Sequence, residues 1–222
     1  MNYDPGIHHR RSIRLRGHDY AGGGAYFVTA CIQGEAPLLG QIVENEMVPS
    51  ESGRLVEATW QALPRRFPSV LLDTHLMMPN HFHGIIVIPG PGLDPSLAKA
   101  TGAPIIQPSL HGVVGPGLAP AKADASVGPT ARRVGLFAVV GAFKSLCALA
   151  VNQALARAGK HLWQEDYYEH IIRNVEELEK TRDYIIHNPA RWVEDPENPG
   201  AGPGLTPAQG RRKRRPYSWK EP

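Results

Sequence analysis

Residues 70–88 read VLLDTHLMMPNHFHGIIVI, and the fold turns on how this stretch is read. Apolar residues dominate 70–77 and again 84–88, with the turn-forming Pro79 and Asn80 between them, so the spacing predicts strands over 70–77 and 81–88 joined by a turn. Side chains alternate faces along a strand, which puts His81 and His83 on one face and sends Phe82 to the opposite, core-facing side. Two imidazoles about one strand pitch apart can chelate a divalent metal, and the turn before them fixes where they sit. Ordinary surface or core histidines give the same pattern, and most metal sites need a third protein ligand.

Working outward, residues 25–33 (AYFVTACIQ) follow a Gly-rich turn and read as a strand. Residues 38–48 read as two short strands around Glu44, Asn45 and Glu46. Ser50 caps a helix running to about residue 63, with Leu55, Thr59, Ala62 and Leu63 at helical spacing and Pro64 as its stop. Residues 134–158 form a long apolar-periodic helix that Gly159 ends. Asn174 and Glu177 resemble a capping box and open a last helix, which Pro189 closes. The order strand, hairpin, helix, two strands, helix, helix implies an α+β fold in which helices pack on an antiparallel sheet.

In that last helix Tyr184 and Asn188 are four apart and share a face, while Val175, Leu178 and Ile185 cover the core. An amide oxygen from Asn188 could complete a His, His, Asn metal site, with the Tyr184 hydroxyl beside a bound phosphate. The plain alternative is that Asn before Pro is a helix stop and Tyr184 packs half-buried. Pro189 also biases Asn188 away from helical geometry.

Gly and Pro are unevenly placed. Residues 89–131 carry 15 of them in 43 positions with little charge, and are expected to be a disordered insert. Another 8 fall within residues 196–210, ahead of Arg211, Arg212, Lys213, Arg214 and Arg215. The formal net charge of +3 conceals net +5 in residues 205–222 on a body that sums to −2. Arg10, Arg11, Arg14 and Arg16 make a second basic cluster. The organisation expected is therefore a basic arm (1–24), one catalytic domain (25–195) carrying the insert, and a linker with a basic tail (196–222). Basic ends suit phosphate backbones, because each neutralised phosphate releases a counterion, and they equally suit a solvated tail or a targeting address. Two cysteines, Cys31 and Cys147, give no disulfide framework and favour a reducing cytoplasm. No apolar run of the ~18 residues needed to span a bilayer is expected, and no membrane partner.

Met78-Pro79-Asn80-His81-Phe82-His83, Trp163-Gln164, and Tyr184 with Asn188-Pro189 together resemble the single-tyrosine HUH transposases, named for His, hydrophobic residue, His. The branch most resembled is that of the REP-associated tyrosine transposases, and the likeness extends to residues 10–15 and to Tyr26-Phe27-Val28-Thr29. It implies a ferredoxin-like antiparallel sheet with packed helices, His81, His83 and Asn188 as ligands of Mg²⁺ or Mn²⁺, and Tyr184 as the nucleophile. The implied activity is cleavage and rejoining of single-stranded or hairpin DNA through a 5′-phosphotyrosine link, by a monomer or a homodimer. Arg10, Arg11, Arg14, Arg132, Arg133, Lys144, Arg173 and the 211–215 cluster are the candidate DNA contacts. Two rival readings are a palindromic-DNA binder without turnover and a metal-dependent nuclease using water. The insert exceeds the connection usual in that family.

Overall fold

A computed structural model describes residue 15 and residues 17–101, 134–195 and 197–199. The strand bearing both histidines, β5 (His81–Ile88), is buried along its whole length. It lies between β4 (Leu71–Met77) and β1 (Gly24–Cys31), and β1 in turn pairs with β6 (Tyr168–Ile172), giving the order β4-β5-β1-β6 with every neighbour antiparallel. Between β1 and β4 come the hairpin β2 (Gly40–Val43) and β3 (Glu46–Pro49), then α1 (Glu51–Gln61) and the single turn α2 (Leu63–Arg66). Between β5 and β6 come α3 (Pro95–Ala100) and α4 (Leu136–Ala154), and α5 (Val175–His187) follows β6. With the hairpin, α2, α3 and α5 set aside, β1-α1-β4-β5-α4-β6 is the split β-α-β arrangement of a ferredoxin-like fold, on an α+β antiparallel sheet.

The sheet is covered on both sides, which is why β5 reads as a nearly continuous apolar run. On one face Tyr26, Val28, Phe82 and Ile86 meet Val56 and Trp60 of α1 and Val139, Phe143 and Cys147 of α4. On the other, Ala25, Phe27, Ile85 and Val87 meet Leu97 of α3 and Leu178 and Ile185 of α5. The histidines lie on this second face, beneath α5. Gly84 has to be glycine for packing: a Cβ there would stand 2.6 Å from Cζ2 of the fully buried Trp60.

Several elements differ from the sequence expectation. Glu44 and Asn45 both take positive φ (50° and 66°), the two-residue hairpin geometry that matches strand twist. Ser50 does cap α1, accepting from Gly53 N at 3.1 Å, but Pro64 sits in the first turn of α2, where no N–H is needed. Residues 89–101 are not part of a disordered insert. Asp94 caps α3, with Pro95 in its first turn, and Leu97 is buried against the second face. The remainder of that stretch, 102–131, lies outside the described residues. The long helix stops at Ala154, ahead of Ala156 at φ 50°. By length and composition alone α4 could cross a membrane, contrary to expectation, yet its buried stripe packs on α1 and the sheet as a core helix does. The sequence reading lacked β6, a five-residue strand of mixed polarity at the sheet edge.

A candidate metal centre beside Tyr184

His81 and His83 are 0% and 1% exposed, and their Nε2 atoms face one another at 3.0 Å. That is the spacing of two imidazole nitrogens that ligate one ion at about 2.1 Å and roughly a right angle. The outer nitrogens are both held. His81 Nδ1 lies 2.9 Å from Asn80 Oδ1, an oxygen that only accepts, so Nδ1 carries the proton and Nε2 presents a lone pair. His83 Nδ1 lies 2.8 Å from the Thr29 hydroxyl, which can donate or accept and so serves either state of the ring. Such partners on the far nitrogen orient metal-ligating histidines. Burial pushes the His81 pKa down to about 3, and burial together with His81 holds His83 well below its ordinary value, so both rings are neutral at physiological pH.

The chain after α5 closes over this pair. Asn188 keeps helical geometry (φ −60°, ψ −40°) although Pro189 follows it, because a 3₁₀ helix (Pro189–Glu194) continues the turn. Asn188 is buried, its side chain hydrogen-bonds Asp195, and its Oδ1 has no hydrogen-bond partner among the described residues. Asp195 is also buried and places Oδ2 3.8 Å from His81 Nε2. One ligand atom each from His81, His83 and Asp195 lie within 4.8 Å of one another. Burial raises the Asp195 pKa, opposed by hydrogen bonds from Glu197 N and Asn188. Asn80 Nδ2 donates to Glu197 O at 2.5 Å, and Cys31, opposite His81 in the ladder, places Sγ 3.6 Å from Glu197 Oε2. Two buried imidazole nitrogens 3.0 Å apart, a buried carboxylate and, from Asn188, an amide oxygen with no hydrogen-bond partner among the described residues are donor types that suit a divalent cation.

Tyr184 stands at the edge of this centre. Its half-buried ring meets His83 edge-on, with centroids 5.4 Å apart, and Phe27 at 5.9 Å. Its helix is fixed to the sheet by Arg182, whose Nε donates to Asp73 Oδ1 at 2.8 Å while Nη2 reaches Asp73 Oδ2 and the Ala100 carbonyl.

An uncharacterized protein of Haemophilus influenzae is 33% identical over 199 residues, covering 87% of this chain and 95% of its own length. The chain belongs to that protein's family. No family model matches the sequence. Among solved structures, a REP-associated tyrosine transposase bound to a REP hairpin shares 17% identity over 82% of this chain and 78% of its own, with a TM-score of 0.47. A candidate transposase from Deinococcus radiodurans shares 12% identity over 78% of this chain and 95% of its own, with a TM-score of 0.38.

Of the residues singled out from sequence, His81, His83 and Tyr184 meet beside α5, and Asn188, at the C-terminal end of that helix, is linked to the histidines through Asp195. Of the candidate DNA contacts, Arg10, Arg11, Arg14, Arg132, Arg133, Arg211, Arg212, Lys213, Arg214 and Arg215 lie outside the described residues. Arg173 is exposed, 3.9 Å from Glu177. Lys144 does not project freely: its ammonium donates to the carbonyls of Gln164, Glu165 and Asp166 at 2.7, 2.9 and 3.2 Å, tying α4 to the segment before β6. Asn80 and Thr29, quoted from the sequence only as parts of longer motifs, and Asp195, not singled out at all, carry site contacts that the sequence did not assign. Asn80 had a signal, since it precedes His81 in the turn, whereas Asp195 is the last residue before the expected linker and carries no local signal.

Proposed function

We propose that the protein is a DNA strand transferase that cleaves single-stranded or hairpin DNA through Tyr184. The observation that carries this reading is the meeting of the Tyr184 ring, at 5.4 Å, with one of two buried histidines whose Nε2 atoms converge at 3.0 Å. His81, His83 and Asn188 would hold Mg²⁺ or Mn²⁺, which when bound polarises a phosphate and stabilises charge gathering on its oxygens. Asn80 and Thr29 keep both imidazoles turned toward that position. The Tyr184 oxygen attacks phosphorus as the bond from phosphorus to the 3′-oxygen breaks, and the proton lost by the phenol is balanced by the one the 3′-oxygen takes up. The resulting 5′-phosphotyrosine conserves the phosphodiester energy, so a second 3′-OH can reverse the step and join new ends. The basic residues at both ends of the chain and Arg173 are the groups proposed to hold the DNA backbone.

The test is incubation of the full chain with end-labelled hairpin DNA and Mg²⁺ or Mn²⁺ under denaturing read-out. A 3′ label is expected to stay on the protein and a 5′ label to leave on a fragment ending in 3′-OH, with both products lost in Tyr184→Phe. Cleavage that survives Tyr184→Phe, or binding without cleavage by the wild type, overturns the reading.

A further inference from the structure

Between β5 and the segment after α5, electron-rich atoms gather without a positive group among them. His81 Nε2, the His83 ring, the Asp195 carboxylate and an Asn188 Oδ1 with no hydrogen-bond partner among the described residues are all buried. No Lys or Arg among the described residues pairs with Asp195, and the ring that faces it, His81 at 3.8 Å, is neutral. Glu197 adds a second carboxylate beside Cys31 rather than a counter-charge. Burying an anion with no cation is costly, and chains that do so pair it or bind a metal.

The orientation of Asp195 is specific. Its Oδ1 accepts from Glu197 N at 2.7 Å, which leaves Oδ2 to face His81. Asn188 hydrogen-bonds the same side chain, and its Oδ1 has no partner among the described residues. We infer that Asp195 is a further protein ligand of the cation held by His81, His83 and Asn188, supplying the negative charge that those three neutral side chains lack. This rests on the proposed reading of the site as a metal centre. The ligand comes from the segment after α5, so the centre joins the sheet, the helix bearing Tyr184 and the chain that follows it.

Mn²⁺ binding to the full chain, without DNA, tests this by calorimetry and by the loss of the free-ion electron paramagnetic resonance signal. Asp195→Asn keeps the shape and removes the charge: it is expected to weaken Mn²⁺ affinity by tenfold or more, while the metal-free melting temperature holds or rises. Asp195→Ala, checked for folding by circular dichroism, is expected to lose affinity at least as far. Affinity within twofold of wild type in Asp195→Asn overturns the inference, as does a fall in melting temperature with affinity unchanged. If His81→Ala abolishes binding while Asp195→Asn preserves it, only the role of Asp195 fails. If the wild type takes up no Mn²⁺, or His81→Ala binds as well as wild type, the metal-centre reading itself falls.

Discussion

Thr29 shows how the candidate site depends on a residue behind it that holds one of its histidines. Its methyl and hydroxyl are buried, and the hydroxyl is the partner of His83 Nδ1 at 2.8 Å. Thr29→Val keeps the volume and removes the oxygen, so the imidazole loses what orients it. Metal affinity should fall by about 10- to 100-fold, with a stability loss of about 1 kcal/mol for one hydrogen bond; titration with Mn²⁺ and thermal melting separate the two effects. Gly84, one residue beyond His83, gives the opposite case, a residue whose identity is set by packing. A methyl group there would meet Trp60 at 2.6 and 2.7 Å and Phe82 at 2.9 Å. Both aromatics are fully buried among Phe143 and His75 and have nowhere to move. Gly84→Ala should therefore cost about 1–3 kcal/mol, read from denaturant unfolding.

At the scale of elements, the placement of Tyr184 depends on how α5 is attached. Arg182, one turn of side chains away from the core-facing Leu178 and Ile185, bridges α5 to Asp73 of β4 and to the end of α3. Burial pushes the Asp73 carboxyl upward, but hydrogen bonds from Arg182 and Thr74 and the guanidinium charge outweigh it and hold the pKa below its ordinary value. A carboxylate with a depressed folded-state pKa contributes stability above its unfolded pKa and loses it as pH falls through the folded one. Removing the guanidinium in Arg182→Ala strands a largely buried carboxylate, which should cost on the order of 3 kcal/mol near pH 7. The difference from wild type should shrink in melts carried below about pH 4; a difference independent of pH would show that packing, not charge, fixes the helix. The ends of α5 were readable beforehand because its signals are local: Asn174 Oδ1 accepts from Glu177 N at 2.8 Å, and Pro189 follows its last turn. The edge strand β6 was not, since Tyr168, Glu169 and His170 acquire their pairing from β1, over a hundred residues away in sequence. Leu97 of α3 is a similar case, one apolar residue whose burial orders a Gly- and Pro-rich stretch only because the second sheet face is there to receive it.

For the whole molecule, the two covered faces divide the labour. One core, built on α1 and α4, holds the sheet; the other, beneath α5, holds the candidate site. His81 and His83 could be placed on a common face from the strand period alone, and Tyr184 beside Asn188 from the helix period, but the convergence of these pairs depends on tertiary packing that no local spacing encodes. Asp195 was the least accessible of all, because a buried carboxylate after a helix looks in sequence like any polar residue entering a linker. Charge is the other property that belongs to the whole chain. Six Lys or Arg against one Glu in residues 205–222 give that segment net +5, and the other residues sum to −2, so any long-range pull on a polyanion such as the proposed DNA substrate is concentrated in that segment. Each phosphate neutralised contributes about −0.7 to the slope of log affinity against log salt for single strands and about −0.9 for duplex. A chain ending at residue 204 should bind hairpin DNA more weakly at low salt, with a slope shallower by roughly 2–4 if three to five of these cations contact phosphates. Because the proposed metal ligands and Tyr184 are untouched, adduct formation at saturating DNA should persist. Equal slopes for the two chains, measured by fluorescence anisotropy across a salt series, would remove the tail from the DNA-binding surface and leave that task to the N-terminal arginines and the body of the domain.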